Sequence, residues 1–276
     1  MKILISADME GISGITQWDM VTPGHHEYLA RGRSLMTGDV NAAIAGAYEA
    51  GATDVVVSDG HWDGRNILIE ELDARAKLNT GSPTPFSMMQ GIQHKPDAVL
   101  LIGYHATSGT AFANLDHTWS DTRVRAVFWN NQLVGEIALN AIVAGHFGVP
   151  IIMLSGDQTA CAEGRKLIGN ALEVAIVKQA TSEFAAECLS LETSRQLIRE
   201  TAARAINKHA KGKATKPYKT KIPSKVMVDF VHARHADRAS LMPGTNRLNG
   251  TQVSYTAPDV PTAYQAFRAM VTLARD

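Results

Sequence analysis

Lys2-Ile3-Leu4-Ile5-Ser6-Ala7, running straight into Asp8-Met9-Glu10-Gly11, is the stretch on which the reading of this chain turns. Its apolar residues follow one another without alternation, as in a strand covered on both faces. Residues 54–58, 98–102 and 150–154 repeat the pattern, each rich in Val, Ile and Leu. Between them lie amphipathic stretches. Residues 32–50 place Leu35, Met36, Val40, Ala43, Ile44 and Ala47 at helical spacing, with Gly51 where a C-terminal cap belongs. Residues 135–147 do the same and close on Gly148 and Pro150. Strands alternating with helices predict an α/β fold, a mostly parallel sheet covered by helices.

The pattern breaks at residues 124–134. Val124–Trp129, then Asn130-Asn131, then Gln132–Val134 reads as a β-hairpin, because asparagine tolerates the positive φ that a type I′ turn requires. After residue 172, strands are expected at 174–178, 225–230 and 253–255, and helices at 193–209 and 260–274. These make a second, smaller α+β domain. The expected division is therefore a metal-binding catalytic domain at 1–172 and a smaller domain at 173–276, the latter contributing to the substrate pocket and oligomer contacts. Residues 208–225 carry seven lysines and two prolines and read as a solvated connection.

Composition narrows the function classes. Lys+Arg and Asp+Glu both number 27, so there is no basic excess of the kind that nucleic-acid or anionic-membrane binding shows. The first apolar run is too short for a signal peptide and is cut off by Asp8. The uncharged run at 137–156 contains Asn140, His146 and Pro150, and reads as helix, turn and strand instead of a membrane span. Cys161 and Cys188, without CxxC spacing, read as reduced and buried residues of a cytoplasmic protein.

The chemistry gathers at the strand ends. Asp8 and Glu10 are two residues apart at the carboxyl end of the first strand, where ligands of open α/β sheets bind. Alone, such a pair could as well cap a helix or meet Arg31 or Arg33. However, the second strand runs into Asp59-Gly60-His61 and the third into Gly103-Tyr104-His105, while Glu136 opens the 135–147 helix. Three carboxylates (Asp8, Glu10, Glu136) and two imidazoles (His61, His105) exceed the four ligands of one zinc. They suit two ions sharing a carboxylate, with Asp8 the expected bridge and a bridging hydroxide completing charge balance. Such a centre performs amide hydrolysis, and mixed N/O ligands favour Zn²⁺, with Mn²⁺ or Co²⁺ able to substitute. His117 reads either as a general acid/base over this site or as an ordinary loop histidine. Asp59 is expected to orient a ligand imidazole. Trp62 and Trp119 stand beside the site, as pocket walls or as packing.

These residues resemble a known family. Ser6-Ala7-Asp8-Met9-Glu10-Gly11-Ile12-Ser13-Gly14 is similar to the SxDxEG signature of the D-aminopeptidase family, peptidase family M55. The resemblance continues through Asp59-Gly60-His61, Gly103-Tyr104-His105-Ala106, Gly135-Glu136 with Asn140, Val177-Lys178-Gln179 and Leu241-Met242-Pro243-Gly244-Thr245. It implies two Zn²⁺ per subunit on Asp8, Glu10, His61, His105 and Glu136, with His117 catalytic. It also implies a cytoplasmic aminopeptidase that releases N-terminal D-residues from short peptides or amino acid amides and forms a ring-like, decameric homo-oligomer. The residues around the site depart from the family pattern at 62–65 and 119–121. That leaves open a metallo-amidohydrolase of the same fold acting on L-, β-amino acid or lactam amides.

Overall fold

The computed structural model describes residues 1–275. Its first sheet has seven strands: β1 (Lys2–Ala7), β2 (Asp54–Asp59), β3 (Lys77–Asn79), β4 (Ala98–Tyr104), β7 (Ile151–Asp157), β8 (Glu173–Ser182) and β9 (Ala185–Cys188), in the order β3-β2-β1-β4-β7-β8-β9. All pairs are parallel except the last, β8 with β9. The second sheet is antiparallel and orders β11-β12-β10-β5-β6, from β5 (Val124–Trp129), β6 (Gln132–Val134), β10 (Ser224–Phe230), β11 (Asn246–Arg247) and β12 (Gln252–Ala257). The helices are α1 (Arg33–Glu49), α2 (Glu136–His146), α3 (Gln158–Ile168), α4 (Leu191–Ala210), α5 (Ala233–Ala239) and α6 (Val260–Leu273).

The expected α/β architecture is present. β1 and β4 are buried over nearly their whole length, because α1 and α4 cover one face of the sheet while α2 and the second sheet cover the other. Asn130 and Asn131 take φ of 50° and 67°, as the hairpin reading required. No described helix is long and apolar enough to cross a membrane.

The expected division at residue 172 does not coincide with the sheets. Residues 173–188 extend the first sheet as β8 and β9, and α4 packs on that sheet's face; the hairpin β5–β6 belongs to the second sheet. One continuous core runs from Leu4, Val99 and Leu101 through α2 into Val226, Val228 and Phe230. The reason lies in the connections. Only Val174–Val177 of β8 form an apolar run, and the strand joins the first sheet by parallel pairing with β7, whereas the hairpin's β5 pairs antiparallel with β10. Cys161 is buried as expected, but Cys188 is exposed because β9 is an edge strand.

Candidate metal centre

β1 ends at Ala7, and the next four residues cross the end of β4. Asp8 N donates to Ile102 O and Gly11 N donates to Gly103 O, both at 2.8 Å. This crossing leaves no room for side chains. A Cβ on Gly11 would lie 2.0 Å from Tyr104 O, and one on Gly103, whose φ is +76°, would lie 2.3 Å from Asp8 O. The two glycines thereby bring the Asp8 and Glu10 carboxylates against the residues that follow β2 and β4.

His61 and His105 meet those carboxylates. His61 Nδ1 is 3.4 Å from Asp8 Oδ1 and 3.3 Å from Glu10 Oε2. His105 Nε2 is 3.3 Å from Asp8 Oδ2 and 3.2 Å from Glu136 Oε1. The two oxygens of Asp8 thus face different imidazoles. Each ring is aimed by its other nitrogen: His61 Nε2–H donates to Val21 O at 2.7 Å, and His105 Nδ1–H donates to Ala106 O at 3.0 Å. His117 Nδ1–H likewise donates to Leu115 O at 3.0 Å, leaving Nε2 3.7 Å from Glu136 Oε1. Its ring stacks on that of His105 with centroids 4.0 Å apart. Trp119 N donates to Glu136 Oε1 at 2.8 Å and fixes that carboxylate from outside.

All five carboxylate and imidazole candidates are buried, and His117 is nearly so. Asp8 Oδ2, Glu10 Oε2 and His105 Nε2 find no hydrogen-bond partner among the described residues. The close approaches between them lack hydrogen-bond alignment, which is costly for buried polar atoms unless something else occupies the space they face. Two donors bound about 2.0–2.1 Å from a tetrahedral zinc ion stand roughly 3.3–3.4 Å apart, which matches the contacts of 3.2–3.4 Å found here. Asp8, Glu10 and His105 form one group able to hold a cation, and His105, His117 and Glu136 form another. The residues fit zinc.

Without a cation, charge is shared with protons. Burial opposes ionisation of His61 and His105. The Glu10 and Asp8 carboxylates around His61, and Glu136 and Asp8 around His105, overcome it and raise both imidazoles well above their ordinary value. Burial also works to raise Asp8 and Glu10, yet His105 and His61 hold Asp8 far below the usual carboxylate range, and His61 lowers Glu10.

Asp59 has a different role from the expected one. Its carboxylate accepts from Asn66 N, Asn66 Nδ2 and Ile67 N, while Asn66 Nδ2 also donates to His61 O. It therefore clamps the loop that carries His61; the imidazole itself is oriented by Val21 O. Three supports were not read from the sequence as such. Lys178 is fully buried on β8 and donates through Nζ to Glu10 O at 2.6 Å, Ile12 O at 3.2 Å and Ile15 O, pinning the loop after β1; burial pushes its ammonium down to about 8. Asn140 Nδ2 donates to Tyr104 Oη at 2.8 Å, and Tyr104 shares a 2.6 Å hydrogen bond with Ser6 Oγ, which donates to Met88 O. Because Ser6 spends its proton on Met88, Tyr104 is the donor to Ser6.

The site opens into a cleft of about 990 Å³ lined by Asp8, Glu10, His61, His117 and Glu136, with Trp62 at its rim and α6 contributing Arg268. Trp62 is 64% exposed, so it is available to a ligand; Trp119 also lines the cleft and packs edge-on against Phe267, centroids 4.9 Å apart.

Carboxylates and imidazoles converging on the carboxyl edge of an open α/β sheet, beneath a cleft, define a metal-dependent hydrolase. A family model for D-aminopeptidase, Peptidase_M55, matches residues 1–269. The D-aminopeptidase of Bacillus subtilis (strain 168) is 38% identical over 275 residues, spanning 99% of this chain and 98% of its own length. The solved structure of the Zn-dependent D-aminopeptidase DppA from Bacillus subtilis, a self-compartmentalizing protease, superposes with a TM-score of 0.94 at 38% identity, covering 99% of this chain and 98% of that one. The chain belongs to the D-aminopeptidase family, peptidase family M55, and is a metallo-aminopeptidase by class.

Proposed function

We propose that this protein is a zinc-dependent D-aminopeptidase with two Zn²⁺ per subunit, held by Asp8, Glu10, His61, His105 and Glu136, and with His117 as the catalytic proton carrier. The carrying observation is Asp8, whose two oxygens face His61 and His105 separately. A carboxylate so placed would help hold two cations together with Glu10, His61, His105 and Glu136. When bound, zinc supplies Lewis acidity that polarises an amide carbonyl and acidifies water.

The chain's own residues do the rest. The carboxylates neutralise the cations, and Val21 O and Ala106 O hold the two imidazoles in the tautomers that leave His61 Nδ1 and His105 Nε2 free. His117 keeps its proton on Nδ1 against Leu115 O, so that Nε2 receives a proton on the cleft side and returns it to the departing amine. Stacking on His105 and the edge of Trp18, 5.3 Å away, restrict its ring.

The substrate class is supported by the relatives named D-aminopeptidase, and self-assembly by the one described as self-compartmentalizing; a ring-like decamer in the cytoplasm is the further reading that the sequence resemblance implies. The test is zinc content measured alongside hydrolysis of D-alanine amide and L-alanine amide. About two zinc ions per chain with turnover of the D-amide supports the proposal. Full activity in metal-free protein, or turnover confined to L-, β-amino acid or lactam amides, overturns it.

A further inference from the structure

Of the cleft's other charged residues, Asp121 and Arg275 are exposed, and three more have partners. Asp19 pairs with His25 at 3.2 Å and Asp63 with Arg65 at 3.6 Å, while Arg123 Nε donates to Ser120 Oγ at 3.0 Å. Arg268 of α6 is different. It is half-buried, its Cζ lies 6.0 Å from the Tyr264 ring centroid, and its Nη1 donates to the carbonyls of Thr84 and Pro85. No carboxylate of the described residues pairs with it. By contrast Arg75, Arg199, Arg204 and Arg247 each sit against an Asp or Glu.

A half-buried guanidinium held at one corner by neutral carbonyls, with Nε and Nη2 left over, matches a carboxylate in geometry and charge. It lines the same cleft as Asp8, Glu10, His61, His117 and Glu136. An amide substrate brings no anion here, whereas a short peptide with a free carboxyl terminus does. We infer that Arg268 is a specificity-determining residue that binds the terminal carboxylate of the substrate, so that the enzyme selects short free-acid peptides over amides. The inference rests on the aminopeptidase reading above.

The experiment uses full-length zinc-loaded enzyme with D-Ala-Gly, D-Ala-Gly-Gly, the C-terminal amide of each, and amidated D-Ala-Glu, which moves the carboxylate to a side chain. The expected result is a KM about tenfold lower for at least one free acid than for its amide. In Arg268→Gln that ratio falls to within about twofold, the change lying in KM more than in kcat. Arg268→Lys, which keeps the charge and the packing stem, retains part of the preference and decides the matter if Arg268→Gln does not fold. Equal KM for acids and amides in the wild type overturns the inference. So does a parallel rise for both classes in the variant, or an amidated D-Ala-Glu that matches the free acids. Absence of hydrolysis of every D-alanyl compound overturns the aminopeptidase reading itself and is a separate result.

Discussion

The two sheets of this molecule divide the work unequally. The parallel sheet presents Asp8, His61 and His105 just past the ends of three adjacent strands, β1, β2 and β4, so each residue's position follows from where its strand stops. The antiparallel sheet backs α6, which brings Arg268 and Thr272 to the cleft wall from far along the chain, and among the described residues neither the sheet nor α6 supplies a member of the groups able to hold a cation. Chemistry set by strand ends is local in sequence; pocket shape set by packing between layers is not.

The largest effect that tests this contrast is His105→Ala. It is expected to remove bound metal and lower turnover by at least about a thousandfold, measured by metal analysis and steady-state kinetics; a variant that keeps both would detach the chemistry from the strand ends. His117→Ala follows, with kcat reduced about 10²–10⁴-fold while zinc content is unchanged. Loss of zinc instead would place His117 among the ligands with His105 and Glu136, which its position also permits.

Zinc uptake is expected to displace protons. His61 and His105 in the metal-free protein have raised pKa values, so below those values they are imidazolium and compete with the cation. Apparent zinc affinity therefore rises with pH, and binding below those values releases protons. Titration calorimetry in buffers of different ionisation enthalpy counts them, and a count of zero would contradict the charge sharing described here.

Tyr104→Phe removes the donor to Ser6 and the acceptor of Asn140, and is expected to cost about 1–2 kcal/mol in denaturant unfolding, since it strands buried polar groups behind the site. The smallest effect belongs to the antiparallel layer. Asn131→Ala, at φ 67°, is expected to cost roughly 1 kcal/mol and to leave kcat alone; a catalytic defect there would show that the second sheet does more than back α6.

The same contrast explains what could be read from the sequence. β1, β2, β4 and β7 announce themselves as unalternating apolar runs, and Asp8, Glu10, His61 and His105 fall together because the residues after such runs share one edge, whereas Glu136 arrives at the start of α2 after the hairpin and His117 on the loop beyond β4. What escaped needs knowledge of distant partners. Nothing near Asp59 says that its carboxylate will take the Asn66 and Ile67 N–H groups instead of an imidazole. β8 looked like the start of a new domain because its pairing with β7 is settled by the shape of a sheet already built. Trp119 is both cleft wall and packing residue, and the packing depends on Phe267 of α6, more than a hundred residues later.

Lys178 carries one more consequence, for the order in which the protein matures. The loop bearing Asp8 and Glu10 leaves the ribosome well before the ammonium that grips its three carbonyls, which arrives 163 to 168 residues later. Contacts this distant along the chain form late in folding. A nascent or truncated chain lacking β8 thus holds its acidic loop without its clasp, and the centre matures as the parallel sheet closes around it.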